Sequence, residues 1–307
     1  MFKEPAQVAA KIHLSLPQSL RDNDRQTEWS AAYTHGKRLM HSFLEGPSFD
    51  ASGRLYCVDV ARGRIFRITD GVFDVFANYD GEPNGLKVLP DGRILVADFR
   101  LGLLQFDADT GEYEVLVDRF HSEKFKGIND LAVGRDGTVY FTDQGSTGLQ
   151  DPTGRVFRLN PDGRLQLLLG GLLGPNGLVL NREETELYVA ATRGNNILRL
   201  QLTQFGDVTK AGVFIQMSGG IGPDGMTIDA AGNLVVAHIG MGCVWVFDRK
   251  GEPILRIVTD AGDRISNLTY GGKDGRTLFM TEADSGSILS VEMEISGFYR
   301  EWAPNGV

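Results

Sequence analysis

With 307 residues, 42% of them hydrophobic and 23% charged, the chain has the composition of a soluble globular protein. A formal net charge of −9 excludes the basic footprint that a nucleic acid or an anionic membrane surface requires. No apolar run approaches the ~18 residues of a membrane span, and the opening stretch MFKEPAQVAAKIHLSLPQSL lacks the continuous apolar core of a secretion signal, so a cytoplasmic protein is expected.

In chain order, helical spacing is confined to about 18–32, ahead of any repeat. From Glu45 a unit begins as EGPSFDASGRLYCVDVARGRIFRI, and related units start at Asn84, Asn129, Asn176, Asp224 and Asn267. Each has a polar anchor, alternating residues, a turn, and an apolar strand ending near an acid; a second turn and third strand often follow. The turns carry Ser52-Gly53, Asp91-Gly92, Asp136-Gly137, Ala231-Gly232 and Asp274-Gly275. DGVFDVFA and GEYEVLVD supply a fourth strand after units one and two. Anchors 39 to 48 residues apart, with about four short strands each, predict propeller blades. The expected fold is all-β: a six-bladed β-propeller of four-stranded antiparallel blades around a central channel, one domain over 1–307. Residues 1–44 are expected to supply the last blade's missing outer strand and complete the ring. Cys57 and Cys243 lie in apolar runs and are expected to be buried free thiols. The phrase APNGV at 303–307 repeats the anchor motif with no strands after it.

The first strand of a propeller blade lines the channel, so the six anchors converge on its axis. All six carry a side-chain oxygen and two are carboxylates, a donor set that suits a hard cation such as Ca²⁺ or Mg²⁺. No Cys or His stands in this ring, which argues against a soft-ligand zinc site. The competing reading has Asn and Asp serving as turn and cap residues at strand starts; Glu45, a poor turn former, fits that less well. The second strands end on Asp59, Asp98, Asp143, Ala191, His238 and Glu282. Bonding to neighbouring loops is the expected role of Asp59 and Asp98, whereas His238 either lines a pocket or is a structural histidine.

The phrases EGPSFD, GINDLAV, GPNGLVL and GPDGMTID, in this order and at blade spacing, resemble the SMP-30/gluconolactonase/LRE-like family of propeller lactonases. That family is related to diisopropylfluorophosphatase, and the resemblance covers roughly 40–295. It implies one divalent cation held by Glu45, Asn176 and Asp224, with Asn129 as a further ligand or substrate contact and Asp130 beside it. Oxygen ligands favour Ca²⁺, although Mg²⁺, Mn²⁺ or Zn²⁺ also occupy such sites. The implied activity is opening of a lactone whose carbonyl the cation polarises. Asp224, Asn129 and Asp130 form the catalytic set, with Asp224 acting as general base or as nucleophile. Sugar-acid lactonases of the animal type carry an Arg two residues before the third-blade Asn, where this chain has Gly127. Candidate substrate contacts are His41, Phe43, Phe99, Arg193 and His238, with Met241 nearby, a partly apolar set that leaves room for a less hydroxylated lactone. The insertion at 144–155 is expected as a rim, a lid or a disordered surface loop. The expected protein is thus a metal-dependent lactonase, a monomer or small homo-oligomer acting on a small molecule. The alternatives are an organophosphate or aryl-ester hydrolase at the same metal and a non-catalytic binding scaffold.

Overall fold

The computed structural model describes residues 4–21, 28–37 and 39–298. Its sheets are six antiparallel blades, each built in chain order from a strand at the axis to one at the rim, with the N-terminal strands added at the last two, and a two-stranded ribbon of Arg119–Phe120 and Glu123–Lys124. Blade one runs Leu44–Phe49, Leu55–Asp59, Arg64–Thr69 and Val72–Asn78. The innermost strands of the other blades are Pro83–Val88, Ile128–Val133, Pro175–Leu180, Gly222–Ile228 and Ile265–Gly271. Each packs against the next, and the sixth packs against the first. The sequence dictates this layering: Leu55–Asp59 is buried throughout and reads as a continuous apolar run, whereas Val72–Asn78 keeps alternate residues in solvent.

The hydrophobic core is divided into six clusters between neighbouring blades. Tyr56 and Val58 of blade one meet Leu86, Val96 and Phe106 of blade two, and equivalent sets recur around the ring. The last joins Phe279 and Ile288 of blade six to Leu44, Cys57 and Phe66 of blade one. Cys57 and Cys243 are buried free thiols. The turns between first and second strands are fixed by aspartates, as Asp91, Asp136 and Asp274 each accept a hydrogen bond from the N–H two residues on.

Closure comes from the N-terminal segment. Lys11–Ser15 pairs antiparallel with Ser287–Glu292 as the outer strand of blade six. Ala6–Ala9 does something the repeat does not announce: it adds a fifth strand to blade five, parallel to Pro253–Val258. The helix lies at Glu28–Thr34, and APNGV falls outside the described residues. No helix among the described residues is long and apolar enough to cross a membrane.

Leu16, 2% exposed, plugs the seam between blades six and one, and its N–H donates to the carbonyl of Gly286 at 2.9 Å. Leu16→Ala is expected to lower unfolding stability by about 2–4 kcal/mol. Leu149→Ala, at a position 83% exposed, is expected to stay within about 0.5 kcal/mol of the parent. Denaturant titration of the two variants checks this, and equal stabilities would show that the seam does not carry the ring.

Candidate metal centre

Every innermost strand slips register against its neighbour at or beside its anchor. The breaks fall at Glu45/Ser48, Pro83/Leu86, Ile128/Leu131, Pro175/Leu178, Pro223/Met226 and Ile265/Asn267. A bulge suspends strict alternation, so consecutive side chains near it are freed from opposite faces of the sheet. The glycine after the anchor lets the strands close in: a Cβ on Gly177 would collide with the carbonyl oxygen of Asp224 in the next blade. Hydroxyls then bind blade to blade. Thr142 Oγ1 donates to the Asn176 carbonyl at 2.8 Å, Thr192 Oγ1 to that of Pro223 at 2.7 Å, and Ser266 Oγ to that of Leu44 at 2.8 Å.

The result is a cavity of about 370 Å³, lined by Glu45, Asn84, Asn129, Asn176 and Asp224. The sixth anchor, Asn267, is set back from it. Its Nδ2 donates to Glu45 Oε2 at 2.9 Å and to Asp130 Oδ2 at 3.3 Å, so it bridges two carboxylates. Asp130 also lies off the cavity wall, with Oδ1 accepting the N–H of Leu131.

Three buried carboxylates in one channel are electrostatically unfavourable. Burial, and then the charge of Asp130, push the Glu45 carboxyl above its ordinary range. Burial followed by Glu45 and Asp130 do the same to Asp224, against weaker help from Asn176 and Arg193. Burial raises Asp130 too, with Lys87 opposing. Among buried side chains, Asn129 Oδ1 has no hydrogen-bond partner. The described residues contain no group of three or more His, Cys, Asp or Glu side chains arranged to hold a metal, so a cation here would depend on amide oxygens as well as carboxylates. An unpartnered amide oxygen beside Glu45 and Asp224, without thiol or imidazole, fits a hard divalent cation.

Of the sequence-derived substrate contacts, Phe43, Phe99 and Arg193 line the cavity. His41 and His238 do not: His41 pairs with Ser42 Oγ at 2.7 Å, while His238 bonds to the Gly219 carbonyl and accepts Trp245 Nε1 at 3.2 Å. The acids ending the second strands act as clasps. Asp59 accepts the N–H of Phe43, Asp98 that of Glu82, Asp143 that of Gly127 and Glu282 that of Arg264, each tying down the backbone just before an anchor. At Gly127, with φ of 147°, a Cβ would lie 2.5 Å from the Phe99 ring, so that aromatic ring takes the space of any side chain there.

Several lining residues carry no repeat signal. Trp29, Ala32 and Tyr33 come from the helix Glu28–Thr34, and Gln144 and Gly145 begin the blade-three insertion, which therefore forms part of the rim. Tyr33 accepts a hydrogen bond from Arg264 Nη1 at 2.6 Å, and burial pushes its hydroxyl up to about 12. The helical spacing at about 18–32 overlaps this element, but nothing in it marks Trp29 or Tyr33 as cavity residues.

Residues 43–284 match the SMP-30/Gluconolactonase/LRE-like region. The chain belongs to the SMP-30/gluconolactonase/LRE-like family. It is 38% identical to a gluconolactonase of Zymomonas mobilis over 64% of its own length, a match spanning 60% of that relative. It is 32% identical to the lactonase drp35 of Staphylococcus saprophyticus, covering 72% of this chain and 71% of the relative. Among solved structures, a gluconolactonase from Xanthomonas campestris superposes with a TM-score of 0.73 at 26% identity, covering 97% of this chain and all of the other.

The raised carboxylates set a pH signature for the cation-free protein. Glu45, Asp130 and Asp224 hold protons more tightly folded than unfolded, so the native state binds more protons once pH exceeds the ordinary carboxylate range near 4. Stability therefore falls as pH rises from that range through the raised folded values. In EDTA the melting temperature is expected to drop between about pH 5 and pH 8, and calcium is expected to restore it most at the upper end. Calorimetry across pH, with and without calcium, would reject this charge assignment if the cation-free protein were more stable at the alkaline end.

Proposed function

We propose that the protein is a divalent-cation-dependent lactonase that opens its substrate over the channel mouth. The observation that carries this reading is the buried oxygen set facing one cavity, Glu45, Asn129, Asn176 and Asp224, with Asn129 Oδ1 unpartnered. Similarity to a gluconolactonase and a lactonase supports the reaction class. Those four side chains would hold the cation, with Ca²⁺ favoured by their hardness. When bound, the cation supplies Lewis-acid polarisation of the ester carbonyl and compensates the developing oxyanion.

The chain's own residues do the rest. The Asp224 carboxylate takes a proton from the attacking water as the water oxygen bonds to the carbonyl carbon. Cleavage of the ring C–O bond then releases an alkoxide, which takes that proton and leaves a hydroxy acid. Asn129 orients the carbonyl from blade three. Arg193, which has no guanidinium hydrogen bond among the described residues, stands at the mouth to receive the new carboxylate. Asn267 and Asp130, set back from the wall, position Glu45 rather than touch substrate.

Asp224→Asn and Glu45→Gln are each expected to lower kcat/KM for a lactone by at least about 100-fold with circular dichroism unchanged. Elemental analysis should find one divalent ion per chain in the parent and a loss of it in Glu45→Gln. A panel of lactones and phosphotriesters, with and without EDTA, separates ester-ring opening from organophosphate hydrolysis. Undiminished rates and metal content in both variants would sink the proposal.

A further inference from the structure

Above the ring of oxygens the cavity wall changes character. Trp29, Tyr33, Phe43, Phe99, Ile221 and Ile239 line it. Trp29 and Tyr33, four residues apart on the helix Glu28–Thr34, stack at 4.9 Å with 11° between their rings, and each meets Phe43 edge-on at 5.1 Å. Arg264 anchors this roof through the Tyr33 hydroxyl and lies over its ring at 5.3 Å. On another side, the Phe99 ring fills the space beside Gly127, so no longer polar side chain reaches in from that point of blade three.

Glu82, Asn84, Gln144 and Arg193 also line the cavity, but two polar groups nearest this wall are committed elsewhere. The Thr192 hydroxyl donates to the Pro223 carbonyl, and His238 is held by Gly219 and Trp245 away from the cavity. A ring carrying several hydroxyls would set some of them against aromatic faces, where a lost hydrogen bond with water is not replaced. A hydrocarbon chain on the ring would gain by leaving water for the same surface.

We propose that the preferred substrates are lactones bearing a hydrocarbon substituent, which packs on Trp29, Phe43 and Phe99, and that polyhydroxylated sugar lactones are poor ones. This rests on the lactonase reading above and adds the substrate class. A cavity of about 370 Å³ suits a single ring with a short chain.

The test measures kcat/KM of the full chain, in calcium chloride, for δ-valerolactone, δ-hexalactone, δ-octalactone and glucono-δ-lactone. The value is expected to rise about threefold per added methylene and, for δ-octalactone, to exceed that for glucono-δ-lactone at least about tenfold. Trp29→Ala and Phe99→Ala should each cut the octalactone-to-valerolactone ratio about fivefold, while Trp29→Phe keeps it within about twofold. A flat chain-length series, or preference for glucono-δ-lactone, overturns the substrate assignment and leaves the lactonase reading standing. Turnover of none of the four lactones overturns both.

Discussion

Glu45, Asp130 and Asp224 are buried around one channel, and their mutual repulsion is the constraint around which the remaining structure is organised. Isolated strands would relieve it by moving apart. The ring forbids that, because each inner strand is trapped between two others, and buried hydroxyls tie blade three to four, four to five and six to one. Asn267 of blade six bridges Glu45 of blade one and Asp130 of blade three, and Lys87 and Arg193 add attraction at longer range. Six separate inter-blade cores supply the apolar burial that makes such crowding tolerable.

Two kinds of structure therefore meet at the cavity. Its floor comes from inner strands, four of which are clasped just before their anchors by Asp59, Asp98, Asp143 and Glu282. Its upper wall comes from the helix Glu28–Thr34, the residue after a second strand, Phe99, and the start of the blade-three insertion. Such segments can vary without disturbing the blades.

The blades were legible in the sequence because every blade solves the same problem: an anchor, a turn and a buried second strand recur with the same residue types. The anchors were legible for the same reason, and five of the six line the cavity. Asn267 looks like the others in the chain, yet it is set back, since depth along the axis leaves no local trace. The bland expectation for Asp59 and Asp98, bonding to adjacent loops, matches their contacts; only the structure resolves His238, whose two nitrogens are engaged by Gly219 and Trp245. Trp29 and Tyr33 reach the cavity from a seven-residue helix that owes its place to tertiary packing, not to propensity. The seating of Phe99 on Gly127 joins distant positions with no periodic relation, and the extra strand Ala6–Ala9 belongs to no repeat.

The pairing of Lys11–Ser15 with blade six and of Ala6–Ala9 with blade five has a temporal meaning. This segment is made before blades five and six and can take its place only after they have formed, so ring closure is a high-contact-order event late in folding. The helix carrying Trp29 and Tyr33 lies on the same stretch of chain, between the closing strands and blade one. Locking the ring and roofing the cavity are consequently one step. In a nascent or partly opened propeller the ring of side-chain oxygens lies under an unfinished vault, and the cavity wall is completed with the final seam.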